Sequence, residues 1–210
     1  TVASTLHDMT ADFSRVLEAG KLKRSVLDGY LDNARTAADL LLSSLSQANE
    51  LVSSFKQVAV DQASSQRRRF DLKLVIEEVT ATLTPIIKKT PFRLHLELAG
   101  KVAMDSYPGP IGQVVTNLVM NSLTHAFEGR ETGNMTLAAR KRGQRQVEIV
   151  YADDGVGVSG SDMQRIFDPF FTTKLGRGGS GLGLHIVYNL VTRVLGGRIK
   201  ASSEVGGGTR

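Results

Sequence analysis

The first 60 residues carry a helical apolar pattern that constrains the fold more than any other feature of the sequence. They contain no proline, and apolar residues recur every three or four positions from Val2 to Leu17 and again from Leu27 to Val58. This spacing predicts two amphipathic helices with a break near Gly20. The second helix has the alternation of three and four that is typical of coiled coils. An uncovered apolar stripe remains, so we expect a helical hairpin that dimerises as a four-helix bundle; the alternative is that the stripe packs on the rest of this chain.

A polar and basic segment at residues 61–70 ends this pattern. We therefore predict a helical domain over 1–63, a linker over 64–72 and a second domain over 73–210. In the second domain, the patterns predict helices near 72–88, 108–127 and 181–194, and strands near 92–98, 102–104, 135–140, 147–151 and 198–202. Because helices and strands mix without strict alternation, we expect an α+β fold, with a sheet that is covered by helices on one face.

The composition excludes several classes of protein. The 210 residues are 41% hydrophobic and 22% charged, as in soluble globular chains, and they include no cysteine for disulfides or thiolate metal sites. No apolar run approaches the roughly 18 residues of a membrane span. We therefore expect a cytoplasmic chain that is not inserted in a membrane, with any anchor of the whole protein in upstream segments. The net charge is +5, and basic residues cluster in two short runs, Arg67-Arg68-Arg69 and Arg140-Lys141-Arg142 with Arg145. No aromatic residues for base stacking are interleaved in these runs, so we expect no nucleic-acid partner.

Four polar side chains are spaced four residues apart in the helix predicted after Pro108. Gln113, Asn117, Asn121 and His125 therefore lie on one stripe, whereas apolar residues occupy the other faces. Buried amides cost free energy unless they are hydrogen-bonded, so these side chains either cap neighbouring backbone or face a polar ligand. The carbonyl oxygen of asparagine is a suitable ligand for Mg²⁺, which commonly accompanies nucleotide phosphates.

An acidic residue and alternating glycines follow the strand predicted at 147–151. In the segment Asp153-Asp154-Gly155-Val156-Gly157, the glycines let the backbone approach a planar ligand while a carboxylate accepts a hydrogen bond, for example from an exocyclic amine. A simple turn is the alternative. Downstream, residues 166–174 contain three phenylalanines within five positions, so we expect this segment to be anchored to a core or a flap.

The segment from 176 to 183 is unusually rich in glycine. It has five glycines in eight positions, whereas a chain with 21 glycines in 210 residues would place about one there. Glycine allows backbone N–H groups to converge on an anion, and the helix predicted to start near Gly181 adds its N-terminal dipole. The segment lacks the Gly-Lys-Ser/Thr of a Walker loop and the preceding strand of a Rossmann fingerprint.

In order and spacing, these four blocks and Gly206-Gly207-Gly208-Thr209 resemble the nucleotide-binding boxes of the sensor histidine kinases. TNLVMNSLTHAFEG and GSGLGLHIVYNLVT are similar to the ATP-binding boxes of one subgroup, and SFKQVAVDQ with RRRFDL to its second helix and linker. The resemblance implies an ATP-binding α/β sandwich of the Bergerat (GHKL) type, joined to a dimerisation and histidine-phosphotransfer domain. It also implies transfer of the ATP γ-phosphoryl to a histidine and then to an aspartate of a response regulator.

The resemblance further implies roles for individual residues. Asn121 would hold Mg²⁺ with Asn117 as its companion near the phosphates, and Asp153 would accept the adenine amine. Gly155 and Gly157 would shape the base pocket, and Gly179, Gly181 and Gly183 would form the hinge of a lid over the phosphates. The other members of the implied nucleotide site are His125, Phe170, Lys174, Leu182 and Thr209.

The same fold also serves ATP-driven clamps of the gyrase and chaperone class. Those proteins hydrolyse ATP with a glutamate that lies one helical turn before the metal-binding asparagine. The resemblance aligns Asn117 of this chain with that glutamate. An amide cannot take a proton from water, so phosphoryl transfer is favoured over hydrolysis. A non-catalytic dimerisation module is disfavoured, because all the boxes keep their polar residues.

The phosphoacceptor box departs from the family pattern. In the family, an acid comes directly after the acceptor histidine and a proline stands five residues after it. His7 and Asp8 supply the first two, but position 12 is aspartate. The segment TVASTLHD resembles the residues downstream of the acceptor box in the similar subgroup. We therefore expect the acceptor upstream of Thr1, and His7 to be a solvated or bundle-edge side chain.

Overall fold

The computed structural model describes residues 1–20, 22–64, 66–98, 100–143, 146–173 and 179–210. Its contacts separate two compact units, one over Thr1–Val52 and the other beginning at Ser53. Within the described ranges, no helix combines the length and apolar character that a membrane span requires.

The first unit is a helical hairpin, as predicted. Helix α1 spans Val2–Glu18, and helix α2 spans Arg24–Ser64. Thr1 caps α1, because its side chain accepts a hydrogen bond from the backbone N–H of Ser4. Gly20 reverses the chain in a left-handed conformation with φ of 65°. Beyond this turn, the ring of Tyr30 stacks on Phe13, with centroids 4.3 Å apart.

The second unit contains four further helices and two sheets among its described residues. The helices are α3 (Leu72–Ile87), α4 (Pro108–Asn121), α5 (Gly160–Met163) and α6 (Gly183–Asn189); α4 continues as π-helix over Ser122–Ala126 and α6 over Leu190–Val194. Strands β1 (Arg68–Asp71) and β3 (Ala103–Ser106) form an antiparallel pair. The larger sheet has the order β2-β4-β5-β7-β6, from strands β2 (Phe92–Leu98), β4 (Gly133–Arg142), β5 (Gln146–Asp153), β6 (Ser203–Glu204) and β7 (Gly208–Thr209). Strands β2 and β4 are parallel, and the other neighbours are antiparallel.

The core lies between the larger sheet and helices α3 and α4. Alternate residues of β4, from Gly133 to Ala139, point into it because successive strand side chains face opposite sides. Of these, Met135, Leu137 and Ala139 pack in one buried cluster with Ile76 of α3 and Val115 and Val119 of α4. A second cluster of Val114, Val187 and Leu190 joins α4 to α6. Helix α4 is therefore held on two sides, and its polar stripe has a fixed position. This α+β arrangement confirms the predicted fold class.

Two segments differ from the elements expected from the sequence. The residues 64–72 assigned to the linker include strand β1, and Asp71 at its end caps α3 by accepting from the N–H of Lys73. The strand predicted over 198–202 was wrong, because the ladder starts at Ser203. Next to this ladder, Ser202 exchanges two backbone hydrogen bonds with Arg210.

Candidate functional site

Helix α4 carries the polar stripe into the interior of the second unit. Gln113, Asn117 and Asn121 are half-buried. Gln113 Oε1 and Asn121 Nδ2 are fully buried, and no described group hydrogen-bonds to either atom. An unpaired buried polar group costs about 1–3 kcal/mol, so these atoms indicate a polar ligand. After Asn121 the helix widens into the π-helical turns that carry His125, an irregularity that is frequent at functional sites.

Asp153, at the end of β5, accepts three hydrogen bonds from three different parts of the fold. Its Oδ1 accepts from the backbone N–H groups of Gly155 at 3.1 Å and Thr209 at 3.3 Å. Its Oδ2 accepts from the hydroxyl of Ser122 at 2.8 Å. Thr209, predicted as a nucleotide-site residue, therefore lies beside Asp153. A carboxylate has about four acceptor positions, and no donor from the described residues takes the fourth.

Ser122 and Tyr151 support this carboxylate, and neither was among the predicted site residues. The Tyr151 hydroxyl donates to Ser122 Oγ at 2.7 Å. Burial, together with the negative charge of Asp153, raises the pKa of Tyr151 above its ordinary value even though the Ser122 hydrogen bond opposes the shift. The phenol therefore stays a donor at neutral pH. Tyr151 stands two residues before Asp153 and so shares its face of the strand, a signal that could have identified it.

The adjacent carboxylate, Asp154, has a different role. Both of its oxygens bind Asn134, at 2.7 Å to the backbone nitrogen and 2.8 Å to Nδ2. Burial opposes its ionisation, but these hydrogen bonds and the charge of Arg130 outweigh burial and lower the pKa of Asp154. Asp154 thus fastens its loop to β4, and Asp153 is the carboxylate with a free acceptor position.

The glycines after Asp153 allow close backbone contacts. A Cβ at Gly155 would lie 2.5 Å from the carbonyl oxygen of Ala126, which accepts a hydrogen bond from Val156 N–H at 2.8 Å. Gly157 has φ of 72°, and a Cβ there would lie 2.0 Å from the carbonyl oxygen of Glu204. These two glycines therefore let the loop pack between the π-helical turns and strand β6.

The second glycine block contacts the polar stripe of α4. A Cβ at Gly183 would lie 3.0 Å from Asn121 Oδ1, and one at Gly179 would lie 3.1 Å from His125 Cε1 and 2.6 Å from Thr172 Oγ1. Leu182 precedes α6, and its carbonyl oxygen accepts from the N–H of Ile186 at 2.9 Å. The structure thus brings Asn121, His125, Gly179 and Gly183 together. Lys174 lies outside the described residues.

The aromatic segment is anchored through Phe167 rather than Phe170. The ring of Phe167 packs on Tyr188 with centroids 5.4 Å apart, and its carbonyl oxygen contacts His185 Nδ1 at 2.9 Å. Phe170 is 58% exposed and has a φ of 67°, unusual for a residue with a side chain. The backbone of Phe170 adjoins Gly181, where a Cβ would lie 2.4 Å from the Phe170 carbonyl carbon. Gly181, with φ of 67°, is therefore a site where the chain needs glycine.

His7 lies in the first unit, on α1. Its side chain is 83% exposed, and its Nδ1 is 3.6 Å from the carboxylate of Asp8.

The basic runs contact acidic partners: Arg140 and Arg142 both pair with Glu148, and hydrogen bonding from Arg140 lowers the pKa of Glu148. Arg67 pairs with Asp105.

No cluster of three or more His, Asp or Glu residues in the described ranges could hold a metal ion. A bound cation would therefore depend on the Asn121 amide and on the ligand's own oxygens.

Comparison with known proteins identifies the family. Residues 107–210, about half of the chain, match the model of the histidine kinase-, DNA gyrase B- and HSP90-like ATPases. The sensor histidine kinase AruS of Pseudomonas aeruginosa is 30% identical over 99% of this chain. The chain carries the ATP-binding catalytic core of a sensor histidine kinase. A further relative, the sensor histidine kinase ZraS of Klebsiella oxytoca, is 43% identical over 48% of this kinase core.

Solved structures support the same assignment. The catalytic domain of histidine kinase ThkA is 26% identical, with a TM-score of 0.58, and the alignment covers 69% of this kinase core and 92% of that domain. Full-length ShkA in complex with AMPPNP, at 23% identity, shares the fold with a TM-score of 0.60; the alignment covers 99% of this chain and 43% of ShkA. The kinase core spans about a fifth of the length of the curated relatives AruS and ZraS.

Proposed function

We propose that this kinase core binds MgATP and transfers the γ-phosphoryl group to a histidine, from which it passes to an aspartate of a response regulator. One observation carries the proposal: the consecutive residues Asn121 and Ser122 contact two different groups of predicted site residues. Asn121 adjoins the glycine block at Gly183, and Ser122 holds Asp153. A base at Asp153 and phosphates at Asn121 would place one nucleotide along the end of α4. The proposal includes a cytoplasmic location.

The base end of the site suits adenine. The remaining acceptor position on Asp153 requires a donor, which the exocyclic amine of adenine supplies and the corresponding oxygen of guanine or hypoxanthine does not. The close packing of Gly155 against Ala126 and of Gly157 against Glu204 fixes the backbone of the loop that follows Asp153. These residues therefore bind and orient the base.

The phosphate end suits a magnesium nucleotide. Asn121 has a buried Nδ2 without a described partner, and Gly183 leaves open the space that a Cβ would occupy 3.0 Å from Asn121 Oδ1. We assign Oδ1 as the Mg²⁺ ligand and Nδ2 as a donor to a phosphate oxygen. When bound, Mg²⁺ supplies positive charge that stabilises the transferring phosphoryl group. His125 and Gly179, which lie side by side, and Lys174 complete the proposed phosphate contacts.

Phosphoryl transfer, rather than hydrolysis, is favoured by the side chain at position 117. Asn117 lies one turn before Asn121 on α4, and its amide cannot act as a general base towards water. In the proposed reaction, a neutral imidazole nitrogen attacks the γ-phosphorus in line while the bond to the bridging oxygen breaks and ADP leaves. The other ring nitrogen gives its proton to an adjacent carboxylate. A clamp-type ATPase is the second candidate, which the lack of a base at 117 disfavours.

Phosphohistidine formation tests the kinase proposal. Asp12 stands where the acceptor box of the family has proline, so His7 is not the expected acceptor. We therefore expect the 210-residue chain to acquire no acid-labile phosphate from radiolabelled ATP, and a protein extended upstream of Thr1 to become labelled. His7→Gln should leave the labelling of the extended protein unchanged. Asn121→Ala should reduce it by about 100-fold or more, the size of effect seen when a group that stabilises transition-state charge is removed.

The matched control is Asn33→Ala, which changes an exposed asparagine of α2 and should not alter labelling. Labelling of the 210-residue chain that disappears in His7→Gln would make His7 the acceptor, with Asp8 as its proton acceptor. Rapid ATP hydrolysis by the extended protein without any phosphohistidine would contradict the kinase proposal and favour the clamp-type ATPase.

We also propose that the kinase core dimerises through the hairpin of α1 and α2. One row of α2, including Leu27, Ala34 and Leu41, is half-covered. Beside it, Leu31, Leu42 and Leu45 are 54%, 66% and 65% exposed, and their spacing of 11 and 3 residues puts them on one side of the helix. A second copy would cover this row in a four-helix bundle.

Sedimentation equilibrium tests the dimer. The double variant Leu42→Asp/Leu45→Asp should raise the dimer dissociation constant by about 100-fold or more, since burying unpaired carboxylates costs several kcal/mol. ADP binding by the second unit should be unchanged. Leu74→Asp on α3, also an exposed leucine at 56%, is the matched control and should leave the dimer intact. A wild-type chain that stays monomeric at high concentration would contradict the bundle.

A further inference from the structure

A chain of three side chains leads from the core to the proposed base pocket. Asp153 can only accept, so the Ser122 hydroxyl donates its one proton to Asp153 Oδ2 at 2.8 Å. The oxygen of Ser122 is then the acceptor for the Tyr151 hydroxyl at 2.7 Å. Tyr151 lies near the end of β5, and its ring packs on the buried core cluster. The direction of every hydrogen bond in the chain is therefore determined.

Ser122 has an alternative partner that would weaken this arrangement. A serine in a helix can donate to the carbonyl oxygen four residues earlier, which here is Leu118, the residue whose carbonyl also receives the Ser122 N–H. The hydrogen bond from Tyr151 engages a lone pair of Ser122 Oγ on the strand side. It therefore favours the rotamer in which Ser122 faces Asp153 over the rotamer that faces the helix backbone.

We propose that Tyr151 is a positioning residue that sets the base selectivity of this site through Ser122, without touching the nucleotide. The inference rests on the proposed adenine site at Asp153. With Ser122 and the two backbone N–H groups in place, three acceptor positions of Asp153 are filled and the fourth points at one place. A base must then present a donor there. Without Tyr151, Ser122 is released, Asp153 can rotate or bind water, and the requirement for a donor is relaxed.

The Tyr151→Phe variant tests this role, because it keeps the ring and removes only the hydroxyl. The probes are ADP and inosine 5′-diphosphate, measured by calorimetry with Mg²⁺; the second has an oxygen in place of the exocyclic amine. We expect Tyr151→Phe to weaken ADP binding about 3- to 10-fold, the effect of one hydrogen bond. Binding of inosine diphosphate should change less than about twofold, so the selectivity ratio should fall. A merely structural defect would weaken both nucleotides equally.

Three further variants complete the test. The double variant Ser122→Ala/Tyr151→Phe removes both hydroxyls at once, so neither is left without its hydrogen-bond partner. It should lose as much selectivity for ADP as Ser122→Ala alone, because Tyr151 acts on Asp153 only through Ser122. Tyr30→Phe is the matched control: it removes a hydroxyl that lies 3.1 Å from Thr10 in the first unit and should change neither affinity.

The outcomes separate the two levels of the inference. A wild-type chain that binds ADP no better than inosine diphosphate would overturn the adenine site and the role of Tyr151 together. A wild-type chain that prefers ADP, with an unchanged preference in Tyr151→Phe and in the double variant, would overturn the role of Tyr151 alone. Equal losses for both nucleotides in Tyr151→Phe would also overturn it.

Discussion

Asp153→Asn is expected to weaken ADP binding about 100-fold while the second unit stays folded, since hydrogen bonds to a charged group are each worth about 1.5–3 kcal/mol. The amide has one acceptor oxygen, whereas Ser122, Gly155 and Thr209 already donate to this carboxylate. Its NH₂ group would also face the adenine amine as a second donor. Titration calorimetry with ADP and Mg²⁺ measures the loss, and circular dichroism checks the fold.

The adjacent carboxylate provides the matched control. Asp154→Asn makes the same chemical change one residue away, where both oxygens bind Asn134, and should keep ADP affinity within about threefold. The pKa of folded Asp154 is lowered, so its contribution to stability is present above its ordinary pKa of 3.8 and is lost as the pH falls through the lowered value. Asp154→Asn should therefore be less stable than wild type at pH 7 and approach it in acid. Equal losses of ADP affinity in the two variants would contradict the assignment of the base pocket to Asp153.

Gly157→Ala is expected to destabilise the second unit strongly. The residue has φ of 72°, and the added Cβ would meet the carbonyl oxygen of Glu204 at 2.0 Å, so backbone must move. Strain and overpacking together should cost about 3–4 kcal/mol. At about 2–4 °C per kcal/mol for a domain of this size, Tm should fall by roughly 10 °C. Because β6 pairs with β7, whose Thr209 donates to Asp153, ADP affinity should fall as well.

Gly129→Ala separates the contact from the backbone conformation. Gly129 has nearly the same φ, 71°, but no described atom lies within 4 Å of a Cβ built there. This variant should cost only the left-handed strain of about 1–2 kcal/mol and should leave ADP affinity unchanged. Differential scanning calorimetry compares the two. Equal decreases in Tm would mean that the Gly157 loop does not pack against β6 as described.

The features that the sequence predicted well depend on local requirements. Apolar spacing identified α1, α2, α3, α4 and β2, because the period of a helix or strand is set by the residues within a few turns. The glycine blocks were evident for a similar reason: a positive φ at Gly157 or Gly181, or a close approach such as that of Gly183, excludes other residues at that position. The stripe through Asn117 and Asn121 likewise depends on helical geometry alone.

Tertiary packing determined the features that could not be predicted from the sequence. The pattern at 198–202 predicted a strand, but the strand that pairs with β7 comprises Ser203 and Glu204, opposite Thr209 and Gly208. Phe167 and Phe170 belong to one aromatic segment, yet only the contact with Tyr188 determines which ring is covered. Ser122 and Tyr151 joined the site because α4 packs against the sheet beside β5. Their hydrogen bonds connect residues 29 and 31 positions apart.

Asp153 and Asp154 show most clearly which information comes from the sequence and which comes only from the folded structure. The residues themselves placed two equivalent carboxylates at the end of one strand, and the family resemblance selected Asp153. Only the packing makes the two carboxylates different: Asn134 occupies both oxygens of Asp154, while Ser122, Gly155 and Thr209 leave Asp153 one acceptor position. Residue type and spacing determine which chemical groups are present. Which of their hydrogen-bonding positions remain available for a ligand depends on partners brought together from distant parts of the chain, and only the folded structure provides them.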